Sequence, residues 1–71
     1  MDSVDKKLGE IIRSRRKEKR LTQPELARRV GTTAQCIYYY EKGLRGVPMS
    51  IFFKLCDALE LEPNEIHRLV K

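Results

Sequence analysis

Hydrophobic residues recur along this chain at the spacing of amphipathic helices, and no segment shows the alternation of a convincing strand. Capping residues, glycines and prolines divide the pattern into five short helical segments. In the first segment Ser3 is a candidate N-cap, and the helix runs toward Lys19. Its apolar face is formed by Val4, Leu8, Ile11 and Ile12.

The second segment begins with a capping box, in which two side chains pair reciprocally with the first backbone N–H groups of a helix. Thr22 is the candidate N-cap, and Glu25, three residues later, completes the box. Pro24 is tolerated in this first turn because its missing N–H would have no helical partner. The segment ends at Gly31, which adopts a left-handed conformation without penalty. Its apolar residues are Leu26, Ala27 and Val30.

The third segment restarts almost at once, with either Thr32 or Thr33 as its N-cap, and ends at Gly43. The turn between the two segments is therefore very short. Such an arrangement predicts a helix-turn-helix unit over residues 22–43, a pattern that helical hairpins without a ligand also use.

Three consecutive tyrosines in the third segment cannot share one face, because successive side chains of a helix diverge by about 100°. Tyr40 lies three residues after Ile37 and shares its core-facing side. We therefore expect Tyr40 to be mostly buried, with a hydrogen-bond partner for its hydroxyl. Tyr38 and Tyr39 fall on the side of the helix away from the core.

The last two segments follow a loop at residues 44–47, and a proline stands near the start of each. Pro48 marks the start of the fourth helix, and Pro63 opens the fifth. The expected core residues of the fourth helix are Met49, Phe52, Phe53, Cys56 and Leu59. The short apolar face of the fifth consists of Ile66, Leu69 and Val70.

The basic residues are concentrated in one part of the chain. The 71 residues carry a formal net charge of +5, with twelve basic and six acidic residues up to Gly46 and three basic and four acidic residues after it. A basic surface of this kind suits a polyanion, and a merely solvated basic face is the alternative. The length indicates one compact domain, and no apolar run is long enough to span a bilayer. Because residues 1–7 lack the apolar core of a signal peptide, we expect a cytoplasmic protein without a membrane partner.

Few residues in the chain suit catalysis or metal binding. Cys36 and Cys56 are far apart, which argues against a disulfide framework and a zinc site, and Cys56 fits a small buried hydrophobic residue. His67 is solitary. Without a paired thiol and histidine or a phosphate-binding glycine loop, an enzyme is the least favoured class, and neither cofactor nor metal is expected.

Several short motifs occur in one register along most of the chain. They are Leu8-Gly9-Glu10 ahead of Ile12, then Arg16, Leu21-Thr22-Gln23-x-Glu25-Leu26-Ala27, Val30-Gly31-x-Thr33, Ile37, Glu41-x-Gly43 and Ala58-Leu59-Glu60-Leu61. In these motifs the chain resembles the helix-turn-helix family of lambda-type phage repressors and Cro proteins, which includes regulators of the xenobiotic-response-element type. The resemblance implies an all-α, compact five-helix bundle. It makes residues 1–71 a single DNA-binding domain.

The resemblance implies that the helix at 33–42 enters the major groove of DNA, where its early exposed residues contact base edges. In this chain those residues are Ala34, Gln35, Tyr38 and Tyr39. Gln35 is the best candidate for direct readout, because a carboxamide both donates to and accepts from adenine. Ala34 suits contact with a thymine methyl group. The alternative for Gln35 is an ordinary solvated residue.

The resemblance also implies contacts with the DNA backbone and one internal ion pair. The expected phosphate-contacting residues are Gln23, Thr33, Lys42 and Arg45. Arg16 and Glu41 are expected to form a partly buried structural pair, with a phosphate contact by Arg16 as the alternative. Two positions depart from the family pattern, since Arg15 replaces an aliphatic residue and Arg20 a common glycine. With Arg20 in place of glycine, the sequence shows no glycine cap at the C-terminus of the first helix.

These features favour a sequence-specific regulator of transcription, of the repressor or Cro type, that binds double-stranded DNA. A module this small makes few contacts, so we expect a homodimer on a pseudo-palindromic operator with half-sites roughly 34 Å apart. The fifth helix is the expected dimer contact, although its apolar residues would equally close the core. The alternative function is an antitoxin or another protein-interaction module, which exposed tyrosines would suit.

Overall fold

The computed structural model describes residues 3–70, with the side chains of residues 4–69, and these residues form five helices and no strand. The helices are α1 (Ser3–Glu18), α2 (Gln23–Val30), α3 (Ala34–Lys42), α4 (Met49–Leu59) and α5 (Pro63–Val70). The predicted all-α class and five segments are therefore confirmed. The predicted capping by Ser3 concerns a side chain outside the described ones.

Capping interactions fix the ends of α2 as the sequence predicts. The Thr22 Oγ1 accepts a 3.1 Å hydrogen bond from the Glu25 backbone N–H, and the Thr22 backbone N–H donates a 2.7 Å bond to Glu25 Oε1. The bond from the Thr22 backbone lowers the pKa of Glu25. At the other end Gly31 is left-handed, with φ of 77°. The predicted capping box and glycine stop are confirmed.

Of the two threonines able to cap α3, Thr33 takes the position. Its Oγ1 accepts a 3.1 Å hydrogen bond from the backbone N–H of Cys36. The helix ends at Gly43, which is left-handed with φ of 71°, as predicted. The first and last residues of α3 are therefore set by local chemistry, and the turn after α2 needs only Gly31 and Thr32 besides the cap.

Helices α1 and α4 end on left-handed residues that are not glycine. Arg20 has φ of 58° and Glu60 has φ of 55°. Side chains near the end of α1 contact the end of α4. The Arg15 guanidinium donates to the carbonyl oxygens of Leu59, at 3.1 Å, and Glu60, at 3.2 Å, and the Lys19 ammonium lies 2.9 Å from the Glu60 carboxylate. Arg15, one of the two residues that depart from the pattern of the family that the chain resembles, thus caps the C-terminus of α4.

The core gathers apolar side chains from all five helices. Fully or nearly fully buried are Ile12, Leu26, Ala27, Val30, Ile37, Tyr40, Leu55, Cys56, Leu59 and Ile66. Tyr40 retains 4% of its exposure, which confirms the predicted orientation of the tyrosine run. Burial raises the pKa of the Tyr40 hydroxyl, which also interacts with Cys36 and Thr32.

One part of the predicted core is wrong. Met49 and Phe53 are exposed, by 66% and 54%, and Leu55 is buried instead. The helix α4 has apolar residues on most of its circumference, so several rotations about its axis would bury some of them. The observed rotation turns Leu55, Cys56 and Leu59 inward and leaves the face of Met49 and Phe53 outward.

Candidate nucleic-acid interface

A buried ion pair fastens the C-terminal end of α3 to α1. The Arg16 Nε lies 2.6 Å from Glu41 Oε2, and Arg16 Nη2 donates a 3.1 Å bond to Glu41 Oε1. The two side chains are exposed by 10% and 2%. A third donor, Arg16 Nη1, reaches the backbone carbonyl of Leu21 at 2.9 Å. With its donors directed inward, Arg16 is placed to orient α3.

Gln23 joins this internal network. Its Nε2 donates a 3.1 Å hydrogen bond to Glu41 Oε1, and its side chain is half-buried at the first residue of α2. The Gln23 amide therefore lies against the ion pair, at the helix end whose backbone dipole favours an anion. The predicted phosphate contact of Gln23 stays a prediction.

The outward face of α3 carries the predicted base-reading residues. Gln35 is exposed, and its Nε2 donates a 2.8 Å hydrogen bond to the hydroxyl oxygen of Tyr39, four residues later. Tyr38 is exposed beside Tyr39, with ring centroids 5.9 Å apart. Ala34, the first residue of the helix, is half-buried and lies at the edge of this face.

Two cations flank the tyrosines. The Lys42 ammonium lies 5.8 Å from the Tyr38 ring centroid, and the Arg45 guanidinium carbon lies 5.2 Å from the Tyr39 ring centroid. Both cations are exposed, and each sits at a distance at which an aromatic face attracts positive charge. The structure thus brings together Gln35, both tyrosines and two predicted phosphate-contacting cations. Thr33 lies at the start of the same helix as its N-cap.

Cys36 is a chemically distinct residue of this region that the sequence interpretation missed. Hydrogen bonding with the Thr32 side chain, then with Thr33, lowers its pKa to about 7. The Arg45 Nη1 lies 3.8 Å from the Cys36 Sγ. The first turn of a helix is a position that favours the thiolate form of cysteine. The spacing Thr33-x-x-Cys36, an N-cap followed by a cysteine in the first turn, was therefore the signal available in the sequence.

Away from α3, a groove of about 400 Å³ lies between α1 and α5. Its apolar lining is Ile11, Leu61, Ile66 and Leu69. Within residues 3–70 no cluster of metal-binding side chains is found. The helices formed by these residues are too short or too polar to span a bilayer.

Comparison with known proteins agrees with this architecture. The sequence model of the family described as "Helix-turn-helix domain" matches residues 7–69. An HTH-type transcriptional regulator of Methanothermobacter thermautotrophicus is 44% identical over 55 residues, which cover 78% of this chain and 80% of that protein. The HTH-type transcriptional regulator y4wC of Sinorhizobium fredii is 33% identical over 63 residues, and y4aM of the same strain 35%.

The two Sinorhizobium relatives are longer proteins, and the chain spans 44% of the length of each, while their matches cover 89% of the chain. The matched region includes all of α2, α3 and α4 and most of α1 and α5. Domains of this family bind DNA, which agrees with the prediction that the domain is not an enzyme. The chain therefore belongs to the helix-turn-helix family of DNA-binding proteins.

Proposed function

We propose that this chain is a sequence-specific transcriptional regulator that inserts α3 into the major groove of double-stranded DNA. The observation that carries the proposal is the outward face of α3. There Gln35, Tyr38 and Tyr39 lie side by side, while Ile37, Tyr40 and Glu41 anchor the opposite face. A helix that is fixed from behind and polar in front suits direct readout of base edges.

The flanking residues supply contacts that position the helix without reading sequence. Lys42 and Arg45 follow the reading face, and the N-terminus of α2 beside Gln23 offers backbone N–H groups to a phosphate. Thr33 contributes its hydroxyl at the start of α3. These four residues are our proposed phosphate contacts.

The test is selection from a random double-stranded library, followed by titration of the selected site at rising salt. Affinity should fall about 10³- to 10⁵-fold between about 50 and 200 mM salt if six to ten phosphates are contacted, with one sequence still preferred. Gln35→Ala should lose preference at one base pair, whereas Asn64→Ala, an exposed change on α5, should keep the motif. Salt-insensitive binding without sequence preference would contradict the proposal.

We further propose that the regulator binds as a homodimer to a pseudo-palindromic operator. Leu69 is 64% exposed beside the groove between α1 and α5, which supports a contact through α5. Ile66 is 4% exposed and belongs to the core, so of the three apolar residues considered it closes the bundle. The side chain of Val70 lies outside the described ones. Sedimentation of the complex with wild type and Leu69→Glu tests this. One wild-type chain per operator would contradict the homodimer, and an unchanged two-to-one stoichiometry in Leu69→Glu would contradict the contact through α5.

Repression is the proposed mode of regulation, since a domain seated on its operator excludes other proteins from the same DNA. A reporter gene downstream of the selected site measures the sign directly. Increased expression in the presence of the chain would contradict repression while leaving DNA binding intact.

Exposed apolar residues on α4 and in the loop before it favour a second candidate function, a protein-interaction module such as an antitoxin. Leu44, Met49 and Phe53 are large apolar residues that remain exposed, and such residues are enriched where proteins meet. Charge favours DNA as the principal partner. A substitution pair, Met49→Ser with Phe53→Ser, should leave DNA affinity unchanged under the first function. If the double variant still binds DNA but no longer changes expression of the reporter gene, the result would favour the second function.

A further inference from the structure

Gln35 and Tyr39 are coupled within the chain itself. The Gln35 Nε2 donates a 2.8 Å hydrogen bond to the Tyr39 hydroxyl oxygen. Around the Tyr39 ring lie the Arg45 guanidinium, 5.2 Å from the centroid, and the Tyr38 ring, 5.9 Å away. These neighbours restrain the ring, so the hydroxyl is a well-placed acceptor for the Gln35 carboxamide.

We propose that Tyr39 is a positioning residue that aligns the Gln35 carboxamide to pair with adenine, an inference that rests on the proposed function. A carboxamide has two N–H donors and one carbonyl acceptor. Because Tyr39 engages one N–H of Gln35, the carbonyl oxygen and the second N–H are available to a base. In the major groove adenine presents the matching pair, an amino donor at N6 and an acceptor at N7.

The group that accepts a hydrogen bond from the Tyr39 hydroxyl determines which way the Gln35 amide faces. A phenol hydroxyl both donates and accepts, so alone it would also tolerate a flipped amide with its carbonyl toward Tyr39. A phosphate oxygen is an acceptor. Once the Tyr39 hydroxyl donates its hydrogen bond to a phosphate oxygen, its own oxygen can only accept from Gln35, and the flipped amide loses its partner. Phosphate, Tyr39 and Gln35 then form a relay that keeps the adenine-reading edge outward.

The variant Tyr39→Phe isolates this role, because it removes the hydroxyl and keeps the ring beneath Arg45. Ordering a flexible side chain on binding reduces affinity by about three- to tenfold. In Tyr39→Phe the Gln35 side chain has to be ordered on binding, and this happens only at the site with adenine, because only there does the amide pair with the base. Tyr39→Phe should therefore lower the preference for adenine over other bases by about three- to tenfold. Loss of the phosphate bond itself affects every sequence equally and cancels in this ratio.

The experiment measures dissociation constants for the selected site and for the three sites that replace the base pair read by Gln35. Wild type, Gln35→Ala, Tyr39→Phe, their double variant and the control Asn64→Ala, an exposed change on α5, are compared, each shown to be folded by thermal unfolding. We expect Asn64→Ala to keep the wild-type ratio. Gln35→Ala should abolish it, and the double variant should be no worse than Gln35→Ala.

An unchanged ratio in Tyr39→Phe, an equal loss at all four bases, or a preferred base other than adenine would overturn the inference and leave DNA reading by α3 in place. A wild type without base preference would instead overturn the proposed function. The chain without DNA gives an independent readout. The side-chain amide resonances of Gln35 should shift in Tyr39→Phe and stay in Asn64→Ala, and an absent shift in Tyr39→Phe would refute the coupling.

Discussion

Gly9 of α1 packs directly against the backbone of Tyr40 at the end of α3. A β-carbon placed on Gly9 would lie 2.4 Å from the Tyr40 carbonyl oxygen and 2.5 Å from that of Glu41, both closer than atoms approach in proteins. The close approach of α1 and α3 therefore requires glycine here. Because this contact lies on the side of α3 opposite the proposed reading face, it sets the distance between α3 and α1.

The variant Gly9→Ala should lower the free energy of unfolding by about 1 to 3 kcal/mol, because the helices must separate to admit a methyl group. Thermal or urea unfolding measures the loss. The matched control is Gly46→Ala, whose added carbon would lie 3.7 Å from Asp5, an ordinary contact distance. Equal stabilities for the two variants would contradict a close approach at Gly9.

The buried pair of Arg16 and Glu41 gives a second prediction. Arg16→Ala or Glu41→Ala should each cost about 3 to 5 kcal/mol, because each strands the partner's charge in a nearly dry site. Replacing both residues by apolar ones should cost less than the sum of the single changes.

A double-mutant cycle with urea unfolding measures this coupling. Glu18→Ala is the surface control, because it breaks an exposed pair with Arg15 and should change stability by about 0.5 kcal/mol or less. Additive losses at Arg16 and Glu41 would mean that the two charges are stabilised separately, for example by the bonds to Leu21 and Gln23.

Local signals in the sequence were sufficient for the ends of α2 and α3 and for the orientation of α3. The capping box at Thr22 and Glu25 and the glycine stops depend on residues a few positions apart, so the sequence displays them. The buried and exposed tyrosines were predicted correctly because the other residues on the outward face of α3 are mostly polar, so that only one side of the helix is apolar.

Other features depend on partners distant in sequence and could not be read from local patterns. The face of α4 was misassigned because apolar residues surround that helix, and only packing against the other helices selects Leu55 over Phe53. Arg15 reaches carbonyl oxygens 44 and 45 residues away, so its capping role has no local signal. Likewise, the hydrogen bond between Gln35 and Tyr39 depends on rotamers, although their spacing permitted it.

Arg20 yields a prediction of increased stability. It holds a left-handed conformation, φ 58°, that costs little only for glycine. Arg20→Gly should raise the free energy of unfolding by up to about 1 kcal/mol, the strain relieved less the added freedom of the unfolded chain. Arg20→Ala removes the same charge but retains a β-carbon, and should bring no gain. If both variants unfold at the same temperature, the effect comes from the charge rather than the backbone.

The two thiols should differ in reactivity by their surroundings. Hydrogen bonding with Thr32 and Thr33 lowers the pKa of Cys36 to about 7, whereas burial raises that of Cys56. Because the thiolate is the nucleophile, iodoacetamide should modify the half-exposed Cys36 first, at a rate that rises through about pH 7 and levels off above it. Mass spectrometry of timed digests separates the two sites. Thr32→Val, which removes the leading cause, should move the midpoint of that rate to higher pH. If the rate for Cys36 in wild type has its midpoint at about pH 8.5, the ordinary pKa of a free thiol, the assigned hydrogen bonds would be contradicted.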